Sequence, residues 1–147
     1  MSTAVGHIEA IFRFPVKSMR GEQLDAATLG WHGIEGDRRL AFRRLDNRGD
    51  FPWLCGSMLP ELTWFTPFRR EADGDALPTH VRTPEGDEME LFGDELAAEV
   101  GRRYGAPVQM MPMKHGIFDE ASLSVITAAT IREICQIADK GTGSTAR

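Results

Sequence analysis

Short apolar segments separated by glycine, proline and aspartate turns run through most of the chain and limit what it can fold into. The first segment, HIEAIFRFPV, alternates so that Ile8, Ala10, Phe12 and Phe14 share one side, which predicts a strand that Pro15 ends or places at a sheet edge. Further strands are predicted in LDAATLGW, RLAFRRLD, LTWFTPFRR, APVQMMPM and SLSVIT. Many short strands favour a mainly β, α+β fold of the barrel or sandwich kind.

Two of the turns indicate hairpins. DNRGD, at Asp46 to Asp50, follows one predicted strand, and PEGD, at Pro84 to Asp87, joins THVRT to EMELF. Glycine and aspartate in the middle of such turns allow the backbone conformations that tight hairpins need.

Two segments change to a helical period. GDELAAEVGRRYG predicts a helix capped by Asp94, with Leu96, Val100 and Tyr104 on one stripe and Gly105 at its end. TAATIREICQIADKG predicts a second helix that ends at Gly141. Thr127 or Ser124 is its expected cap, and its expected buried stripe consists of Ile131, Ile134, Cys135 and Ala138.

Length, charge and cysteine content narrow the class of protein. The 147 residues suit one domain, or one domain with the opening of a second. No apolar run is long enough to cross a bilayer, and Met1 to Gly6 lacks the features of a secretory signal, so we expect a cytoplasmic protein without membrane contact. Cys55 and Cys135 are expected to be reduced thiols, since two distant cysteines do not make a disulfide framework.

The charges are unevenly distributed along the chain. The net charge of −5 gives no reason to expect nucleic-acid binding. Between Arg13 and Arg48 there are eight basic and five acidic residues, whereas Glu71 to Glu99 holds ten acidic residues and one basic residue, Arg82. Such a separation can attract a small anionic ligand to one face, although two solvated surfaces of opposite sign are the alternative.

The first candidate site is the stretch FPVKSMRGE, where Lys17 and Ser18 follow a predicted strand. A lysine beside a hydroxyl on a turn can supply a charge and a hydrogen bond to a phosphate, and backbone N–H groups can add to both. The alternative is a lysine whose ammonium group is solvated at a strand end, as most lysines are.

The second candidate is the stretch GIEGDRRL. Gly33 and Gly36 permit tight turns, and Asp37 can hold Arg38 in one rotamer, so that its guanidinium faces an oxyanion. The alternative is a surface ion pair of little energetic value.

The stretch FPWLCGSMLPEL is predicted to be core rather than a ligand platform, because aromatic and aliphatic residues dominate it. Its thiol, Cys55, has no base nearby in sequence and is interpreted as structural. The four histidines have no metal-ligand spacing, and the acidic run from Glu85 to Glu95 lacks the pattern of a calcium loop, so no metal site formed by side chains is expected.

Several of these motifs occur together in one order. The succession PVKSMRGE, GIEGDRRLAF, DNRGDFPWL and LPEL resembles the N-terminal β-barrel domain of the MOSC family, named after the C-terminal domain of molybdenum cofactor sulfurase. The resemblance covers Gly6 to about Leu62 and resumes at FDEASLSVITAATI, Phe118 to Ile131, which is similar to the start of the MOSC domain proper. It implies a barrel-like domain over 1–112 and an incomplete MOSC segment over 113–140. The small, polar residues of 141–147 predict a disordered tail.

The resemblance implies a cofactor and a site. Family members bind the molybdenum cofactor, a molybdopterin, and either reduce N-hydroxylated compounds or carry sulfur; molybdenum-ion and pyridoxal phosphate binding are also implied. Lys17, Ser18 and Arg38 match positions that hold the cofactor's anionic groups, and Thr127 and Thr130 match polar positions near the pterin.

The chain also departs from the family pattern. Relatives tend to have Thr and Arg where this chain has Cys55 and Ser57, and they carry a cysteine ligand and an Arg-Pro-Asn segment beyond the helix that is predicted to end near Asp139. The resemblance therefore leaves open whether this polypeptide is an enzyme, and whether it binds the cofactor at all. The alternative function is a non-catalytic β-barrel module whose C-terminal helix is covered by a protein partner or by a second copy of the chain.

Overall fold

The computed structural model describes residues 3–70, 77–114, 116 and 121–142. Within these ranges the chain forms nine short strands: β1 Ile11–Arg13, β2 Glu22–Leu24, β3 Leu29–Gly30, β4 Gly33–Ile34, β5 Leu40–Arg44, β6 Thr66–Phe68, β7 His80–Arg82, β8 Glu88–Glu90 and β9 Val108–Pro112. Its helices are α1 Asp94–Tyr104 and α2 Ala128–Thr142, and a 3₁₀ helix at Pro60–Trp64 precedes β6.

The strands pair in small antiparallel sheets. β1 pairs with β2, β3 with β4 and β5 with β9, while β6, β7 and β8 form a three-stranded sheet. This confirms the α+β class. The described residues contain no closed barrel, and the barrel-like architecture stays a prediction. Strands of two to five residues, broken by proline and glycine, pair over too short a length to continue around a closed sheet.

One hydrophobic core joins the β5–β9 sheet to the β6–β7–β8 sheet. β5 and β9 lie on it, and the 3₁₀ helix, β7 and α1 contribute further side chains. The buried members include Val16, Leu40, Phe42, Leu54, Leu59, Leu62, Phe65, Val81, Leu91, Leu96, Val100 and Met110. The core prediction for FPWLCGSMLPEL is thus confirmed for its leucines, whereas Phe51 is largely exposed and Trp53 half-buried.

Both predicted turns are present, but they join different structures. The turn at Pro84 to Asp87 joins β7 and β8 as predicted, with Val81 opposite Met89. After the turn at Asp46 to Asp50 the chain returns along β5, where the Leu54 N–H donates to the Phe42 carbonyl. This return makes an isolated bridge between Arg43 and Trp53 rather than a paired strand, while β9 pairs with β5 over its whole length.

The first helix agrees with its predicted stripe. Leu96 and Val100 are buried, Tyr104 packs against the core, and Gly105 ends α1 in the left-handed conformation. The predicted cap is wrong: Asp94 is the first helical residue, and Gly93 occupies the cap position without a side-chain hydrogen bond. An acidic residue in the first turn is still favourable, since it faces the positive end of the helix dipole.

The second helix is present but its predicted burial is wrong. Ile131, Ile134, Cys135 and Ala138 are exposed, as are the other described side chains from Ala129 to Asp139. The amphipathic pattern identifies the apolar side of a helix, but only contacts with other elements can bury that side. Gly141 lies within α2 and does not end it, so the predicted tail begins in helix at 141–142, and 143–147 lie outside the described residues.

Three predicted strands need correction, and a fourth, LDAATLGW, is strand only at Leu24 and at Leu29–Gly30. In the first, only Ile11–Arg13 forms β1, and Phe12 and Phe14 are largely exposed while the guanidinium of Arg13 is buried. LTWFTPFRR begins in the 3₁₀ helix, where Pro60 stands in the first turn, and becomes strand only at β6. The third, SLSVIT, forms no strand from Ser122 to Thr127.

Candidate anion-binding site

The segment Pro15 to Lys17 runs beside the start of β5. The Lys17 N–H donates to the Leu40 carbonyl oxygen at 2.8 Å, and the Leu40 N–H donates to the Pro15 carbonyl oxygen at 3.1 Å. Ser18 then has a φ of 65°, in the left-handed region that a residue with a side chain seldom adopts. The chain therefore turns sharply at the two residues that the sequence singled out, and this backbone strain is of a kind that often occurs at binding sites.

Lys17 is buried, with a relative exposure of 5%. Its Nζ atom lies 5.8 Å from the centre of the Phe51 ring, within the range of a cation–π contact. The alternative interpretation, a solvated lysine at a strand end, is wrong. A buried ammonium group is stable where hydrogen bonds, ion pairs or polarisable groups surround it, and the Phe51 ring is one such group.

A second turn lies against Ser18. The N–H groups of Met58 and Leu59 both donate to the Cys55 carbonyl oxygen, and Cys55 Sγ lies 3.0 Å from Ser57 Oγ. A β-carbon built on Gly56 would lie 3.8 Å from Ser18 Cβ and 3.9 Å from Ser18 Oγ, so the two turns are in van der Waals reach.

These contacts bring together three elements that are separate in sequence: the turn at Lys17 and Ser18, the ring of Phe51, and the turn from Cys55 to Ser57. We call this group the Lys17 site. It offers an ammonium group, hydroxyls and a thiol, which suit an anionic guest. Phe51 and Gly56 were not predicted for this site, because the stretch that contains them, FPWLCGSMLPEL, was predicted to be core.

Arg38 lies on a neighbouring segment. Its N–H donates to the Phe14 carbonyl oxygen at 2.7 Å, which places the two predicted motifs side by side. Its side chain donates from Nε to Asp37 Oδ2 at 2.6 Å and from Nη2 to the Ser122 carbonyl oxygen at 3.1 Å. The prediction that Asp37 orients Arg38 is confirmed. The contacts described here for the two cations involve different residues, Phe51 for Lys17 and Asp37 with Ser122 for Arg38.

Asp37 is buried and accepts two hydrogen bonds. Its Oδ1 accepts from the Phe14 N–H at 2.7 Å, while Oδ2 accepts from Arg38. The alternative of an ordinary surface ion pair is therefore wrong, since the Asp37 side chain is only 6% exposed and also bonds the backbone. Its second role, as acceptor of the Phe14 N–H, was not predicted from the sequence.

Thr127 and Thr130 stand at the start of α2. The Thr130 N–H donates to Thr127 Oγ1 at 3.1 Å, and the two hydroxyl oxygens are 2.9 Å apart. The prediction that Thr127 caps the helix is confirmed. Both side chains are exposed, and their role as pterin contacts stays a prediction.

Arg13 is a buried cation that was not predicted from the sequence. Its Nε donates to Glu22 Oε1 at 2.8 Å and its Nη1 to the Glu35 carbonyl oxygen at 3.2 Å. Arg13 thereby links β1 to β2 and to the loop that carries Asp37. The apolar residues that alternate with Arg13, among them Phe12 and Phe14, dominated the pattern of this segment, and they lie on the opposite face of the predicted strand.

A separate charged cluster surrounds Arg103. This guanidinium contacts Glu61, Glu85 and Glu99 and lies 5.1 Å from the Phe65 ring centre. Its hydrogen bond lowers the pKa of Glu85, and bonds from Arg102 and then Arg103 lower the pKa of Glu99. Each of the three carboxylates contacts the Arg103 guanidinium, so we interpret the cluster as a structural link between α1, the 3₁₀ helix and the β7–β8 turn.

Two concave regions lie elsewhere on the surface. One, of about 540 Å³, lies between α1 and β9 and is lined chiefly by alanine, glycine and proline. The other, of about 150 Å³, lies beside the β3–β4 turn and includes Asp37 and Arg39 in its lining. Neither is lined by Lys17, Ser18, Arg38, Thr127 or Thr130.

Two further features concern residues 3–70, 77–114, 116 and 121–142. In these ranges no three His, Cys, Asp or Glu side chains come together in a way that could hold a metal ion. Within the same part of the chain, no helix has both the length and the apolar character needed to cross a membrane.

Comparison of the chain with protein-family models, with curated proteins and with solved structures gives no match.

Proposed function

We propose that the Lys17 site binds an anionic, phosphate-bearing ligand of the molybdopterin class. The observation that carries this proposal is the buried ammonium group of Lys17, held beside the strained turn at Ser18 and under the ring of Phe51. The resemblance of the motifs to the MOSC family supports the choice of ligand. The same resemblance supports an N-terminal domain over 1–112 and the beginning of a second domain over 113–140.

The residues fit one part of such a cofactor. A lysine ammonium and serine hydroxyls would hold its phosphate, because charge-assisted hydrogen bonds are the strong ones in such sites. They do not fit its metal centre: the described residues contain no ligand cluster, and Cys135 stands on an exposed apolar stripe of α2. We therefore assign no chemical step to this chain. Sulfur transfer or reduction of N-hydroxylated compounds stays a proposal for the complete family architecture.

Calorimetric titration of the intact chain tests the site. The ligands are molybdopterin, pyridoxal phosphate and inorganic phosphate, so that a pterin preference is separated from general phosphate binding. Lys17→Ala and Arg38→Ala are compared with Arg48→Ala, whose side chain is exposed. Loss of a hydrogen bond to a charged group costs about 1.5–3 kcal/mol, so we expect at least tenfold weaker binding for Lys17→Ala and no change for Arg48→Ala. Equal affinity in all three variants rejects the site.

Ser18→Gly keeps the test decisive if Lys17→Ala fails to fold. Glycine adopts a positive φ without the steric cost that Ser18 bears at 65°, so this variant should be at least as stable as the parent. It also lacks the hydroxyl and should bind the anion more weakly. Greater stability together with undiminished anion affinity would contradict the proposed role of Ser18.

Elemental analysis of the purified chain addresses the cofactor directly. Molybdenum in stoichiometric amount, with a matching pterin mass in the intact protein, would support binding of the complete cofactor. A chain that binds molybdopterin in the titration but is purified without molybdenum would agree with a site that fits the cofactor's phosphate and not its metal centre.

A second candidate function is favoured by α2. Ile131, Ile134 and Ile137 are 47%, 54% and 65% exposed, which leaves an apolar helix without cover in the described part of the chain. A surface of this kind commonly marks a protein–protein contact. The chain would then act as a non-catalytic binding module, through a partner protein or through self-association. Sedimentation of the chain alone tests self-association.

A further inference from the structure

The apolar stripe of α2 consists of Ile131, Ile134, Cys135 and Ala138, which recur at intervals of three and four residues. Such residues share one face of a helix. All four are exposed, and the apolar side chains of Val125 and Ile126, just before the helix, are exposed as well. The exposed apolar surface is therefore continuous with the segment that leads into α2.

Two opposite charges lie along one edge of this stripe. Arg132 and Asp139 are seven residues apart, or about two helical turns, so they lie above one another on the same side of α2. Both are exposed. Their order, positive toward the start of the helix and negative toward its end, decides which arrangement of two such helices is electrostatically favourable.

We propose that a second copy of this chain covers the stripe, with the two α2 helices antiparallel and related by a two-fold axis. This inference rests on the second candidate function and is independent of the Lys17 site. In the antiparallel arrangement Arg132 of each copy meets Asp139 of the other, which gives two favourable ion pairs. In a parallel two-fold pair the equivalent residues lie on opposite sides of the contact, so neither ion pair forms.

The ion pairs also fix the register. If Arg132 faces Asp139, the two-fold axis passes midway between positions 135 and 136. The two Cys135 residues then lie about 1.5 Å apart along the helix direction, which is the rise of one residue. The axes of two helices in contact are about 8–10 Å apart. The Cα atoms of the two Cys135 residues then lie within the range of separations that a disulfide can span.

The contact is small. A single helix pair of this length buries less than the roughly 1,200 Å² of a stable specific interface, so the dimer should dissociate on dilution. Sedimentation equilibrium of the intact chain, from low to high micromolar concentration, should therefore show a mass that rises from monomer toward dimer.

Exchange of the two charges tests the orientation. Arg132→Asp and Asp139→Arg each place like charges in contact and should weaken the dimer at least fivefold. The double variant restores opposite charges and should recover the dimer to within twofold of the parent. Glu133→Gln, on the opposite side of the helix from the stripe, is the matched control and should leave the dimer unchanged. Circular dichroism checks that each variant keeps its helix.

Mild oxidation gives a second readout. In a Cys55→Ser background, an added disulfide-forming oxidant should convert the dimer into a species cross-linked through Cys135, and Cys135→Ser should abolish it. A chain that stays monomeric throughout overturns both this inference and self-association as a function. A dimer whose affinity is unchanged by the charge exchange overturns the antiparallel pairing alone. Neither result bears on the anion titration.

Discussion

The guanidinium of Arg38 donates a hydrogen bond to the carbonyl oxygen of Ser122, although 84 positions separate them in sequence. Gly33 approaches the same carbonyl: a β-carbon built on it would lie 2.6 Å from the Ser122 oxygen. The bend that carries Asp37 and Arg38 thus holds the segment that leads into α2.

Gly33→Ala should lower the free energy of unfolding more than Gly86→Ala does. Gly33 and Gly86 both have positive φ, at 96° and 102°, so alanine at either position suffers the left-handed strain of about 1–2 kcal/mol. Gly86 has nothing within 4 Å of the added carbon, whereas at Gly33 the carbon meets Ser122. We expect a clearly larger loss of unfolding free energy for Gly33→Ala in urea denaturation. Equal losses would mean that the Ser122 contact does not form.

Asp37 should be one of the more sensitive acidic positions. Asp37→Ala leaves the Phe14 N–H and the Arg38 guanidinium without this acceptor, and removal of one partner from a buried charged pair is expected to cost about 3 kcal/mol. Asp25→Ala, at an exposed position, should change stability by less than about 0.5 kcal/mol. Denaturant midpoints of the two variants decide the matter, and similar midpoints would contradict the role given to Asp37.

The Arg103 cluster should make stability depend on acid pH. Hydrogen bonds with arginine lower the pKa of Glu85 and Glu99 below the ordinary value of 4.5, so the folded chain binds fewer protons than the unfolded chain. Their contribution is present above pH 4.5 and is lost as the pH falls through the lowered pKa values. Unfolding free energy measured between pH 6 and about pH 3 should therefore decline.

Arg103→Met should flatten that decline, because it removes the partner of Glu85 and one partner of Glu99 while keeping a long apolar stem over Phe65. Arg102→Met is the comparison: its guanidinium bonds Glu99 alone and is 68% exposed, against 12% for Arg103. An identical pH profile for the parent and Arg103→Met would show that the cluster contributes no acid-dependent stability.

Thr127 should support α2 as a cap. Thr127→Val removes the oxygen that accepts the Thr130 N–H, which typically costs about 1 kcal/mol of helix stability, while Thr127→Ser keeps it. Because α2 is exposed, its helix content should fall measurably in the far-ultraviolet circular dichroism of the valine variant alone. If valine and serine give the same spectrum, the cap does not stabilise the helix.

Local signals in the sequence were reliable where a few neighbouring residues decide the structure. The hairpin at Pro84 to Asp87, the stripe and glycine end of α1, and β9 all follow from turn chemistry and periodicity. The same signals failed where distant contacts decide. Leu62 to Trp64 were predicted as strand, but they form a 3₁₀ helix that places Leu62 in the core.

The candidate site divides in the same way. The turn at Lys17 and Ser18 and the pairing of Asp37 with Arg38 could be predicted from residue types at short spacing. The contact of Lys17 with Phe51, and of Ser18 with the turn at Gly56, could not, because the residues involved are more than 30 positions apart.

The sequence by itself determined which segments turn, which alternate and which coil, because backbone sterics and side-chain periodicity act over a few residues. It also determined that basic groups gather near the start of the chain. Only the tertiary structure decided that Lys17 is buried, that Phe12 and Phe14 face outward, and that α2 keeps its apolar side exposed. Burial depends on which surfaces meet, and that is set by contacts between segments far apart in the chain.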